Sequence, residues 1–143
     1  MSAFRGRFEH QMDEKGRVSL PSAFRRGDPD ERFVLLQWEE PYLTLFPEPK
    51  WCEIEDRLDD YRKSGAEAMN NVRRLYETLA EVAPDKQGRI LVPATLQQAG
   101  GLKGTVLLLG MRDRVELWNP STYEAVVHEK AGDFAQFAHR LFG

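Results

Sequence analysis

Two short stretches carry charged residues at a repeated spacing: Asp13-Glu14-Lys15-Gly16-Arg17 and Asp85-Lys86-Gln87-Gly88-Arg89. In each, an aspartate precedes an arginine by four positions, a glycine stands directly before the arginine, and a lysine lies between. An aspartate at the head of a turn accepts backbone N–H groups, and glycine enters positive φ without a Cβ clash. Two chemistries are then open to the arginine. It can close a salt bridge on its aspartate, a surface contact of about 1 kcal/mol or less. Alternatively its planar fork can bind guanine O6 and N7 in the major groove of DNA while the lysine holds a phosphate. The two are compatible if the aspartate fixes the turn that aims the arginine.

The elements around both turns are copies of one another. Val18-Ser19-Leu20-Pro21 follows the first and Ile90-Leu91-Val92-Pro93 the second, each a short strand stopped by proline, which has no N–H for a ladder. The offset that carries Asp13 onto Asp85 persists without a gap: Val34-Leu35-Leu36 falls on Val106-Leu107-Leu108, Leu45 on Leu117, Phe46 on Trp118, Trp51 on Tyr123 and Ile54 on Val126. This is an internal duplication. One unit of that length is a marginal domain alone, so the two halves are expected to share one core.

In chain order, Phe4 to His10 is expected as a strand with Arg5 and Arg7 pointing outward, and Ser22 to Arg26 as a single helical turn. Arg32 to Trp38 and Tyr42 to Phe46 are expected as a strand pair. Trp51, Ile54, Leu58 and Tyr61 step by three, four and three along an amphipathic helix that ends at Ser64-Gly65. Cys52, beside Trp51, is expected to be buried there. Met69, Val72, Leu75, Tyr76 and Leu79 mark a second helix leading to the second unit. That unit repeats the plan with strands at 81–83, 89–92, 106–109 and 114–118 and a helical turn at 93–98. Asn119-Pro120 supplies a cap and first-turn proline for the helix bearing Tyr123, Val126 and Val127. A last helix uses Phe134, Phe137, Ala138 and Leu141. The resulting division is a first unit at 1–52, connecting helices at 53–80, a second unit at 81–124 and C-terminal helices at 125–143.

The chain has 143 residues, 41% of them apolar, enough for a core. Its formal net charge of −3 carries no global cationic footprint. Residues 1–26, however, hold six bases against three acids, whereas 27–63 hold eleven acids and five bases. Residues 84–98, with Lys86 and Arg89 against Asp85, reach only +1. On that tally Lys15 and Arg17 should dominate any contact with a polyanion, with Arg89 and Lys86 assisting or helping a subunit interface and Arg5 and Arg7 extending a phosphate track. A solvated strand face explains the last two equally well.

The two Asp-x-x-x-Arg turns, the Val-x-Leu-Pro and Ile-x-Val-Pro strand ends, and Arg5-Gly6-Arg7-Phe8-Glu9-His10 upstream together resemble the MraZ family of bacterial transcriptional regulators. The resemblance covers nearly the whole chain. It implies an α+β fold: a duplicated AbrB-like swapped-hairpin β-barrel, a double-psi-like pseudo-dimer flanked by helices, with Asp13, Gly16, Asp85 and Gly88 shaping the turns. It also implies a ring-like homo-oligomer that binds direct repeats in double-stranded DNA upstream of its own division and cell-wall gene cluster, in the cytoplasm and associated with the nucleoid.

Other classes fit less well. His10, His128 and His139 lie on dissimilar segments without metal-ligand spacing, and no glycine loop precedes a helix as a phosphate cradle would. No catalytic residue, metal, cofactor or small-molecule substrate is expected. No run approaches a membrane span, and the N-terminus lacks an apolar signal core. The competing reading is a protein-interaction module, antitoxin-like or scaffolding, without specific DNA binding.

Overall fold

A computed structural model describes residues 3–129 and 132–143. In chain order the elements are β1 (Phe4–Gln11), β2 (Arg17–Ser19), a 3-10 turn (Ser22–Phe24), β3 (Phe33–Leu36), β4 (Leu43–Pro47), α1 (Glu48–Tyr61), a second 3-10 turn (Arg62–Ser64) and α2 (Ala66–Tyr76). The second half adds β5 (Ala80–Val82), β6 (Arg89–Leu91), α3 (Ala94–Ala99), β7 (Thr105–Arg112), β8 (Val115–Trp118), α4 (Pro120–Tyr123) running into a π-turn (Glu124–His128), and α5 (Phe134–Phe142). The architecture is α+β.

Six strands form one antiparallel sheet in the order β1-β7-β8-β4-β3-β5, and β2 and β6 pair separately. The first strand of each half therefore leaves its own unit: β1 lies on β7 and β5 on β3. Two further pairings join each strand to its own copy. Val18 faces Ile90 in the β2–β6 ladder, and Thr44 faces Glu116 where β4 meets β8. Both pairs are separated by the repeat offset itself, so each ladder straddles an approximate twofold axis. Among the described residues β1 and β5 each pair on one side only, so these ladders make an open sheet and a two-stranded layer rather than one closed barrel.

Burial follows the alternation of side chains along each strand. Phe33, Leu35, Leu43, Leu45, Val106, Leu108, Val115 and Leu117 point to one sheet face and pack against Val18, Leu20, Ile90 and Val92 of the small ladder, with Phe24 and Leu96 from the following turns. The opposite face is covered by helices. Val34, Leu36 and Phe46 meet Trp51 of α1, and Leu107 and Trp118 meet Tyr123 of α4. The equivalent ring pairs are Phe46–Trp51, at 6.1 Å between centroids, and Trp118–Tyr123, at 5.1 Å. Asn119 caps α4 as expected, its Oδ1 accepting from the backbone N–H groups of Ser121 and Thr122.

Several expectations are corrected. Cys52 is exposed: one residue past Trp51 turns it about 100° around the helix and off the buried stripe. β3 stops at Leu36, and Trp38 lies half exposed outside it, its indole Nε1 donating to Thr44 Oγ1 at 3.0 Å. β5 begins at Ala80, one residue before the expected start. β7 is longer than its apolar run because β1 pairs with it from Phe4–Arg112 to Gln11–Thr105. Among the described residues no helix is long and apolar enough to cross a membrane.

Gly110 sets how closely β1 approaches. A Cβ there would lie 2.6 Å from the Phe4 carbonyl carbon and 2.8 Å from Arg5 Cα, both backbone atoms that cannot step aside. Gly110→Ala should therefore cost about 1–3 kcal/mol, the usual range for overpacking, read as a lower urea midpoint. An unchanged midpoint would show that this strand contact does not hold the fold.

Candidate nucleic-acid interface

Each turn is closed by the same bonds. Asp13 N–H donates to Arg17 O at 2.8 Å and Gly16 N–H to Asp13 O at 3.0 Å; the counterparts from Asp85 to Arg89 and from Gly88 to Asp85 are 2.8 and 2.9 Å. Asp13 Oδ1 accepts the N–H groups of Lys15 and Arg17, at 2.9 and 2.8 Å, and Asp85 Oδ1 those of Gln87 and Arg89, both at 2.9 Å. The glycines sit at φ +85° and +78°, the left-handed region that a side chain opposes.

The second carboxylate oxygen takes the arginine. Arg17 Nε donates to Asp13 Oδ2 at 2.8 Å and Arg89 Nε to Asp85 Oδ2 at 3.0 Å. The salt-bridge chemistry is thus present in both turns. At a partly exposed surface it adds little net stability, but it orients the guanidinium by its inner nitrogen. The outer nitrogens stay available: those of Arg17 make no hydrogen bond among the described residues, and Arg89 leans one of its own to within 3.9 Å of Asp13 Oδ2. That last contact crosses from one turn to the other.

The β2–β6 ladder holds the turns side by side. Leu20 N–H donates to Gly88 O and Val92 N–H to Gly16 O, both at 2.8 Å, so each turn is pinned by the strand leaving the other. Lys15, Arg17, Lys86 and Arg89 are brought together in this way, with Lys15 and Lys86 exposed. Arg5 and Arg7 are not. Phe4 and Phe8 use the core side of β1, which sends the arginines to the opposite face. There the Arg7 guanidinium lies 5.3 Å from the Tyr123 ring centre and bonds Glu9 at 3.2 Å.

Sequence reasoning missed a pair of residues that cover the glycines. Gln97 packs on Gly16, and Arg25, its counterpart in the first repeat, packs on Gly88. Their donors go to equivalent carbonyls: Arg25 Nε to Leu20 O at 3.1 Å and Gln97 Nε2 to Val92 O at 2.8 Å. The offset marks the two as equivalent, but only the crossing of the strands shows that each caps the turn of the other half. A charge tally by sequence window therefore counts Arg25 with the wrong turn. Counted in space, the first turn has Lys15 and Arg17 against Asp13 and Glu14, while the second has Lys86, Arg89 and Arg25 against Asp85, with Asp28 and Glu31 beside Arg25.

Both aspartates titrate below the ordinary 3.8. For Asp13 the Arg17 backbone N–H is the chief cause, opposed by desolvation and reinforced by the Arg17 guanidinium and the Lys15 N–H; Asp85 is held down chiefly by the Arg89 N–H. A carboxyl with a lowered folded pKa contributes stability that is complete above its unfolded value and lost as pH falls through the folded one. Asp13→Asn with Asp85→Asn should therefore be less stable than the parent near neutral pH and should lose less stability on acidification below 3.8. Urea titrations across that range check this; parallel pH profiles would contradict it.

Among the described residues no group of three or more His, Cys, Asp or Glu side chains could hold a metal ion. A family model described as "MraZ protein, putative antitoxin-like" matches the chain twice, over residues 3–72 and 76–143. Three curated relatives each carry the name Transcriptional regulator MraZ. The one from Lactiplantibacillus plantarum is 34% identical over 140 residues, covering 96% of this chain and 97% of that protein. That from Desulforamulus reducens is 32% identical over 138 residues, 96% of each. That from Acetivibrio thermocellus is 36% identical over 122 residues, 85% of each.

Proposed function

The chain belongs to the MraZ family, and from that premise we propose that it is a sequence-specific, DNA-binding transcriptional regulator. The observation that carries the reading is the meeting of two Asp-fixed arginine turns on one side of the molecule, each guanidinium held by its inner nitrogen. In this reading Arg17 and Arg89 reach base edges in the major groove, while Lys15 and Lys86 neutralise phosphates. Asp13, Gly16, Asp85 and Gly88 keep the turns in shape. Arg5 and Arg7 face the helix-covered side and are left out of the contact set.

The reciprocal exchange of β1 and β5 supports an AbrB-like swapped-hairpin arrangement for the two units, 1–52 and 81–124. The segments 53–80 and 125–143 then serve assembly. Phe134, Phe137, Leu141 and Phe142 of α5 are exposed by more than half of their surfaces, an apolar stripe that a homo-oligomer would cover. Each turn offers few contacts, so a ring presenting several copies to direct repeats upstream of its own gene cluster makes later contacts effectively intramolecular. Such a regulator works in the cytoplasm, at the nucleoid.

Fluorescence anisotropy on duplexes from upstream of its own gene, beside a scrambled duplex, tests this. Binding should be selective and should weaken steeply as salt rises, because phosphate contacts release counterions. Arg17→Ala and Arg89→Ala should each weaken selective binding by about 5- to 150-fold, from bidentate contacts of about 1–3 kcal/mol. A folded oligomer that ignores both duplexes and binds one stoichiometric protein would replace this reading with the protein-interaction one.

A further inference from the structure

The pairing of Arg25 with the opposite turn has a chemical consequence. The Arg25 guanidinium lies against Gly88, where a Cβ would come within 2.6 Å of one terminal nitrogen and 2.7 Å of Cζ. Its Nε is fixed on Leu20 O, and its outer nitrogens make no hydrogen bond among the described residues. The nearby carboxylates have other partners. Asp28 accepts Asp30 N–H, Glu31 accepts Arg26 N–H, and Asp85 holds its own turn. Lys86 and Arg25 line one shallow hollow beside Gly88 together with Asp28, Glu31 and Asp85, so a phosphate oxygen must meet the outward side of the Arg25 guanidinium.

We infer that Arg25 is a phosphate-binding residue of the second turn, gripping a phosphodiester oxygen beside the one held by Lys86, so that the two turns contact DNA unequally. This rests on the DNA-binding reading above and adds to it a residue and a direction of asymmetry. An arginine held by its inner nitrogen and a glycine face loses little side-chain freedom on binding, and it presents a bidentate fork suited to phosphate. Among the described residues the first turn has no such group: Gln97, in the equivalent place, is a neutral amide donating to the equivalent carbonyl. Lys15 there is matched by Gln87 in the second turn, and Glu14 by Lys86. Arg25 thus supplies across the chain the cation that position 87 lacks.

The symmetry also provides the substitutions. Arg25→Gln places at position 25 the residue that already fills the equivalent site, so the cap on Gly88 is preserved while the charge is removed. Gln97→Arg is the converse. Both are compared with wild type by anisotropy on a duplex with one repeat, over a series of salt concentrations. Arg25→Gln should weaken binding several-fold on selective and scrambled duplexes alike and make the log–log salt slope shallower by about one contact. Arg25→Lys should restore the slope, and Gln97→Arg should steepen it by about one. Wild-type binding that Arg25→Gln and Gln97→Arg leave unchanged in affinity and slope, while Arg17→Ala abolishes it, would overturn the assignment alone. A folded wild type that binds neither duplex would overturn the DNA reading and this assignment with it.

Discussion

Neither half of this chain can satisfy its own short strands. β2 spans only Arg17–Ser19, and it pairs with β6, its own copy, about the Val18–Ile90 pair. A strand so short, left unpaired, would expose backbone donors and acceptors beside the most deeply buried side chains of the molecule. Pairing it with its copy satisfies those groups and buries Val18, Leu20, Ile90 and Val92 in one step. The remaining architecture follows from that contact. β1 and β5 cross to the opposite unit, β4 and β8 meet about Thr44 and Glu116, and one core forms where two marginal ones would otherwise stand.

The same pairing creates the charged face. Each Asp-x-x-x-Arg turn feeds directly into one strand of the small ladder, so an antiparallel pair about Val18 and Ile90 sets the turns beside each other. Their cores are bonded alike: Asp13 takes the Arg17 N–H and Nε both at 2.8 Å, and Asp85 takes those of Arg89 at 2.9 and 3.0 Å. The departures from symmetry lie around those cores: Glu14 against Lys86, Lys15 against Gln87, Arg25 against Gln97. The residues that fix the backbone and the arginines they hold repeat, while the side chains around them diverge, as expected if the fold needs both turns identical.

The duplication, both turns, the proline strand ends and the Asn119 cap were legible because each depends on local chemistry repeated at a constant spacing. The exchange of strands was not, because a constant offset says which positions are equivalent but not which equivalents pair. Arg25 escapes a sequence reading for that reason, since a charge window along the chain sets it with the wrong partner. Cys52 shows a second limit: apolar character and a neighbouring Trp51 say less than one residue's rotation about the helix. The stripe on α5 was readable as amphipathic from Phe134, Phe137 and Leu141, yet within one chain that stripe remains exposed.

In the proposed function the two turns form one DNA-contacting face, and hydrogen–deuterium exchange of the intact protein, with and without duplex from upstream of its own gene, distinguishes that face from the rest of the surface. Joint protection of the segments 12–20 and 84–92 on adding DNA, with α1 and α2 unchanged, is the expected result. Protection confined to one turn, or appearing instead on the helix-covered face, would contradict it.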